Sequence, residues 1–268
     1  VVTKVGTDAL GDYVIALLNE WGVDTRYVGR DDSALTPVVL AALAPPEEPQ
    51  IIFYRGQAAP DTTVTQAEVP VDDVRGCRVL WMSQGALALG ATAESSFAWL
   101  ELRGRSDDRD TVLDLDYRPT MWSSVHEARA AAQRAIAQSS VVVGNRTECE
   151  MAVGLDEPDA IVDDLLERGV RLAIVKLGGG GVLVADNSDK VRIDPLDIDV
   201  LCGLGAGDAF GGALVHGLLS GWDLERIGRF ANGAGAYVAT QLTCADAMPT
   251  TTMVDEVVEH GGTRGLQE

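Results

Sequence analysis

The chain has 268 residues, 46% of them hydrophobic and 23% charged, proportions that fit a folded protein with a large core and exclude wholesale disorder, a fibrous repeat or a disulfide-stapled miniprotein. With 21 basic against 41 acidic residues the net charge is −20. That field repels nucleic-acid backbones and anionic lipid, so neither nucleic acid nor membrane is expected as a partner, and an anionic ligand needs a local cationic pocket.

The chain opens on Val1-Val2-Thr3-Lys4-Val5, an alternating run that reads as a strand in the middle of a fold rather than as a leader, because it lacks a basic segment and a small-residue cleavage site. The expectation is a cytoplasmic protein whose upstream sequence is missing. Leu10, Val14, Leu17, Leu18 and Trp21 then recur at helical spacing, with Gly22 where a C-terminal cap belongs. From Thr36 to Val69 the rhythm changes. Thr36 to Leu40 and Ile51 to Arg55 form two strand-like runs around Pro45-Pro46 with no helix between, which predicts a lid-like β insertion at about 36–69 projecting from the main body. Compact apolar runs follow at Val79-Leu80-Trp81-Met82, Thr111 to Asp114, Val141 to Val143 and Leu172 to Val175, the pattern of buried parallel strands. Helical segments around 90–103, 123–138 and 159–169 separate them. The prediction is an α/β fold with helices on the faces of a mostly parallel sheet, and a glycine turn at 178–181 that leads into an antiparallel strand at Val182-Leu183-Val184.

Cys77, Cys149, Cys202 and Cys244 lie far apart, and His126, His216 and His260 have no zinc-ligand spacing, so reduced, mostly buried thiols are expected. The stretch richest in chemistry is Gly203-Leu204-Gly205-Ala206-Gly207-Asp208-Ala209-Phe210-Gly211-Gly212, which opens a helix running towards Gly221. Unpaired amides and the positive end of the helix dipole suit an anion there, and glycine lets a phosphate approach the main chain. Asp208 is out of place beside a phosphate unless it accepts a proton from an attacking hydroxyl. An ordinary capping aspartate with packing glycines is the competing reading. A dinucleotide fingerprint fits badly, because Phe210 then Gly211 stand where a third glycine is expected and a second helical pattern (Leu224, Ile227, Ala231, Val238) follows instead of a strand.

These segments resemble the ribokinase-like (phosphofructokinase-B) family of carbohydrate kinases. Gly205-Ala206-Gly207-Asp208 is similar to that family's GAGD signature, and Val5-Gly6-x-Asp8-x-x-Gly11, Asp114-x-Asp116-x-Arg118, Asn145-x-x-Glu148 and Lys176-x-Gly178-x-x-Gly181 occur in the family's order. Within the family, Phe53-Tyr54-Arg55, Ala59-Pro60-Asp61, Asp114 to Pro119 with Trp122, and Cys244 to Thr250 resemble the branch that acts on keto-deoxy sugar acids of inositol catabolism.

The resemblance implies a single three-layer αβα kinase domain over 1–268 and ATP-dependent phosphorylation of the terminal hydroxyl of 5-dehydro-2-deoxy-D-gluconate. A 2-keto-3-deoxygluconate kinase, another sugar kinase of the family, or a catalytically silent nucleotide- or sugar-binding protein are its alternatives. Asp208 becomes the base, with the amides of Gly205, Ala206 and Gly207 as the anion hole. Lys176, Gly178, Gly181, Asn145, Glu148, Ala231 and Asn232 become the nucleotide-side residues, with Glu148 (through water) and Asn145 ordering Mg2+ and phosphate. Arg118, Arg55 and Tyr54 take the sugar acid, and the lid suggests a homodimer. The family's usual first strand, with its substrate-contacting aspartate and Gly-Gly-x-x-x-Asn motif, is absent from this sequence.

Overall fold

The computed structural model describes residues 1–47, 49–56 and 58–263, and these fall into two compact units, one of 1–40 with 52–140 and one of 41–51 with the chain from Val141 onward. The first unit begins with β1 (Val2–Gly6), α1 (Ala9–Glu20) and β2 (Tyr27–Asp31). Asp8 starts α1 by accepting the amides of Leu10 and Gly11, and Gly22 ends it at φ +71°, as the sequence predicts. The pair β1–β2 is parallel, Val2 opposite Tyr27.

Strands β3 (Val38–Ala42) and β4 (Gln50–Tyr54) form a separate two-stranded sheet, with Val39, Leu40, Ile52 and Tyr54 exposed. Beyond it Ala59, Val64 and Val69 are buried, and Val64 is tied to the next helix through its amide on Thr92 Oγ1 (2.9 Å) and its carbonyl on Ser95 Oγ (3.0 Å). The helix α2 (Val71–Gly76), strand β5 (Val79–Ser83), helix α3 (Gly90–Arg103), strand β6 (Asp110–Asp114) and helix α4 (Val125–Ile136) complete this unit. The β5–β6 pair is parallel. Crossover helices supply Leu100, Ala128, Ala132 and Ile136 to the core, and buried Gln84 holds Ala128 carbonyl through Nε2 at 3.0 Å.

The second unit is built on β7 (Val141–Asn145), followed by α5 (Arg146–Val153), α6 (Pro158–Glu167) and β8 (Leu172–Lys176), with β7–β8 parallel. The chain then turns back as β9 (Val182–Asp186) and β10 (Lys190–Ile193), antiparallel to β8 and β9 in turn. That is the glycine hairpin expected from sequence. Helices α7 (Ala206–Ser220), α8 (Leu224–Ala239) and α9 (Thr251–Glu259) follow. Val141, Val142, Ala173, Ile174 and Val184 are fully buried, which explains why these strands read as unbroken apolar runs. Among the described residues, no helix is long and apolar enough to cross a membrane.

Candidate active site

Helix α7 starts at a left-handed glycine. Gly205 holds φ +86°, and a Cβ there would lie 2.4 Å from Cys244 Cβ, so both conformation and space demand glycine. No side chain caps this helix, which leaves its head to the backbone. The Ala206 amide points back to Gly203 carbonyl at 3.3 Å, and the Gly203 amide donates to Pro46 carbonyl at 2.8 Å. Gly203 is thereby occupied by the β3–β4 turn, a contact that sequence reading missed because nothing local to Pro46 announces it. Asp208 is exposed in the first turn of α7, and Cys202, just before the loop, is a buried free thiol.

Lys176, the last residue of β8, reaches the same place. Its Nζ lies 3.6 Å from where a Cβ on Gly207 would stand and 6.0 Å from the Phe210 ring centre. An ammonium, a helix N-terminus and a small-residue approach are therefore gathered at one point, the combination that receives an anionic group. Beyond Lys176, Gly178 and Gly179 face open space, whereas Gly181 at φ +81° packs so tightly that a Cβ would fall 1.9 Å from Ile193 carbonyl oxygen.

Asn145 and Glu148 form a reciprocal cap at the start of α5: Asn145 Oδ1 accepts the Glu148 amide at 2.9 Å, and Glu148 Oε2 accepts the Asn145 amide at 2.6 Å. Both residues thus hold helix geometry in addition to whatever they do for a ligand. Ala231, expected on the nucleotide side, has no exposed surface and is packed in the interior of its unit. Its neighbour Asn232 donates Nδ2 to Asp194 carbonyl at 3.2 Å. Among the described residues no three His, Cys, Asp or Glu side chains gather into a metal cage.

In the first unit, each candidate substrate arginine carries an aspartate. Arg118 Nη2 lies 2.5 Å from Asp116 Oδ1, and Arg55 Nη2 lies 2.7 Å from Asp61 Oδ2. Asp116 Oδ2, Ser83 Oγ and Met121 Sδ all stand 3.8–3.9 Å from where a Cβ on Gly85 would sit, so the ends of β5 and β6 converge there. Tyr54 is exposed on β4. Both aspartates occur in the motifs that carry the resemblance, but only the ion pairs reveal what they hold. Asp8 accepts the Thr36 amide at 2.7 Å as well as capping α1, and the amides of Thr36 and then Gly11 hold its carboxyl below the usual aspartate value.

A family model described as pfkB family carbohydrate kinase matches residues 1–251. Curated relatives include a 5-dehydro-2-deoxygluconokinase of Geobacillus thermodenitrificans, 25% identical over 265 residues, which are 97% of this chain and 78% of the relative. Another 5-dehydro-2-deoxygluconokinase, from Shouchella clausii, is 28% identical over 262 residues, 96% of this chain and 80% of the relative. Among solved structures, a Vibrio cholerae fructokinase bound to fructose, ADP and calcium superposes with a TM-score of 0.84 at 23% identity, covering 95% of this chain and 83% of that one. A fructokinase of Xylella fastidiosa with bound ATP gives a TM-score of 0.83 at 20% identity, covering 97% and 84%. These structural likenesses establish the ribokinase-like α/β fold.

Proposed function

Since the chain belongs to the pfkB family of carbohydrate kinases and is a sugar kinase, we propose that it transfers the terminal phosphoryl group of ATP to the terminal hydroxyl of 5-dehydro-2-deoxy-D-gluconate. The observation that supports the kinase chemistry is the head of α7, where the Lys176 ammonium lies beside Gly207 and Asp208 stands exposed in the first turn. The family branch rests on the shared name of the curated relatives and on two arginines, each paired with one aspartate, that could also meet a sugar carboxylate.

The residues present suit a nucleotide: a helix start without a side-chain cap, and an open glycine turn following the lysine. ATP supplies the phosphoryl group; Glu148 through water and Asn145 would hold Mg2+, which when bound would offset charge on the phosphates. The protein's own part is electrostatic and positional. The amides of Gly205, Ala206 and Gly207, with Lys176, favour charge on transferring oxygens, an effect amplified where water is excluded. Asp208 accepts the hydroxyl proton and orients the oxygen for attack. Gly178 and Gly181 shape the turn on which the nucleotide lies, and Asn232 borders it. Arg118 and Arg55, with Tyr54, hold the sugar acid by charge-assisted hydrogen bonds.

The test is Asp208→Asn. Turnover should fall by roughly 10²–10⁴ with ATP affinity retained, read by coupled ADP release and by equilibrium nucleotide binding. Unchanged turnover would remove Asp208 from the chemistry. A second reading, a kinase for a neutral sugar or for 2-keto-3-deoxygluconate, draws on the aspartates already paired with both arginines, which reduce the positive charge left for a carboxylate. A panel of acidic and neutral sugars separates the two. The exposed apolar residues of β3 and β4 support a homodimer through this small sheet, for which light scattering of Ile52→Lys against wild type is the check: a dimer that persists in the variant removes the proposal.

A further inference from the structure

Strand alternation on β4 exposes Ile52 and Tyr54 and turns Arg55, just past the strand, inward, its side chain only 17% exposed. A guanidinium sunk this far needs partners for its donors. It has one carboxylate, and that carboxylate comes from a different kind of place. Asp61 is the middle residue of a 3₁₀ turn, Pro60–Thr62, whose flanks are buried. The turn is fastened to α3 by Thr92, whose hydroxyl donates to Asp61 carbonyl at 2.8 Å and accepts the Val64 amide at 2.9 Å. Within the turn, Thr62 Oγ1 donates to Ala59 carbonyl at 2.7 Å. Asp61 is thus a fixed post on the core of its unit, while Arg55 stands beside a strand with exposed side chains.

The contact between them is single-pointed. Arg55 Nη2 donates to Asp61 Oδ2 at 2.7 Å, yet among the described residues Arg55 Nε and Asp61 Oδ1 are both buried without a hydrogen-bond partner. Side-on pairing would have satisfied both, and buried polar atoms without partners are rare enough to call for a reason. We propose that Asp61 is the positioning residue for Arg55: it holds the guanidinium by Nη2 and so fixes where the other terminal nitrogen, Nη1, stands to meet an oxygen of the substrate's carboxylate. This rests on the sugar-acid reading above and adds to it a residue that sets specificity without touching the substrate.

The experiment is steady-state kinetics on the full chain with 5-dehydro-2-deoxygluconate, for Arg55→Ala, Asp61→Ala, Asp61→Asn and the double Arg55→Ala/Asp61→Ala variant, with urea midpoints to confirm folding. Asp61→Ala should raise KM for the acid roughly 10–100-fold, the cost of a misplaced binding group, with kcat within about twofold and KM for ATP unchanged. Asp61→Asn, which keeps an acceptor oxygen, should recover most of that loss. The double variant should match Arg55→Ala alone, because the two residues act as one unit. If Arg55→Ala raises KM while Asp61→Ala does not, or if the two effects multiply, the positioning role is wrong and the substrate reading stands. If Arg55→Ala itself leaves KM unchanged, or wild type phosphorylates only neutral sugars, the substrate reading fails and takes this assignment with it.

Discussion

Replacing Gly205 by alanine tests the proposed phosphate-binding role of the head of α7 where its tolerance is least. The residue sits at φ +86°, a conformation that costs an L-residue roughly 1–2 kcal/mol. A Cβ would also meet Cys244 Cβ at 2.4 Å, Cys244 Cα at 3.0 Å and Val238 Cγ1 at 3.4 Å. Two of these atoms belong to or adjoin the main chain and cannot swing aside, so overpacking adds about 1–3 kcal/mol. If the chain keeps its native path, G205A therefore loses roughly 2–5 kcal/mol of stability, the sum of these two contributions. If it escapes by rotating the glycine, the amides at the start of α7 turn away and turnover falls by about 10²–10³, the effect of losing an anion-hole donor. Urea unfolding together with coupled ADP release reads both branches. Cys244→Gly in the same chain removes the closest contact but not the φ penalty, so G205A/C244G should regain the packing share and keep the rest. A G205A protein with wild-type midpoint and turnover would show that this geometry does not govern the site.

Two further outcomes follow from the capping residues. Glu148→Gln keeps an acceptor for the Asn145 amide, so stability should hold while the Mg2+ concentration giving half-maximal turnover rises. Glu148→Ala should in addition cost about 1 kcal/mol through the lost cap, and equal Mg2+ dependence in all three proteins would confine Glu148 to capping. For Asp8, the folded carboxyl is held below its ordinary value of 3.8 by the amides of Thr36 and Gly11. The stabilisation it brings is complete above that unfolded value and is lost as the pH falls through the lower folded one. The drop in urea midpoint between pH 6 and pH 3 should be smaller in Asp8→Asn than in wild type; an identical drop would remove Asp8 from acid sensitivity.

Much of the fold was legible along the chain because strands β6 to β9 are buried on both faces. Val141 to Val143 and Leu172 to Val175 have no polar alternation to confuse the reading, and Gly22 and Gly221 mark helix ends by their left-handed backbone. Elements with weaker patterns escaped. Strand β2 carries Gly29, Arg30 and Asp31, and β10 alternates Lys190, Val191 and Arg192, so neither forms an apolar run. The short α5 opens on the Asn145–Glu148 box, which sequence alone could equally assign to a ligand. Burial of Ala59, Val64 and Val69 also escaped, since it depends on α3 rather than on local propensity.

The order of motifs by itself determined the family and the backbone chemistry at the start of α7, because glycine conformation and helix dipoles are local properties set by a few adjacent residues. Only tertiary structure decided which charges meet. It brought Lys176 to Gly207, gave Arg118 and Arg55 to Asp116 and Asp61, closed Pro46 on Gly203, and left Ala231 without surface. Ion pairs act through space across any sequence separation, and burial is shared among many residues, so neither can be read from spacing along one strand or helix.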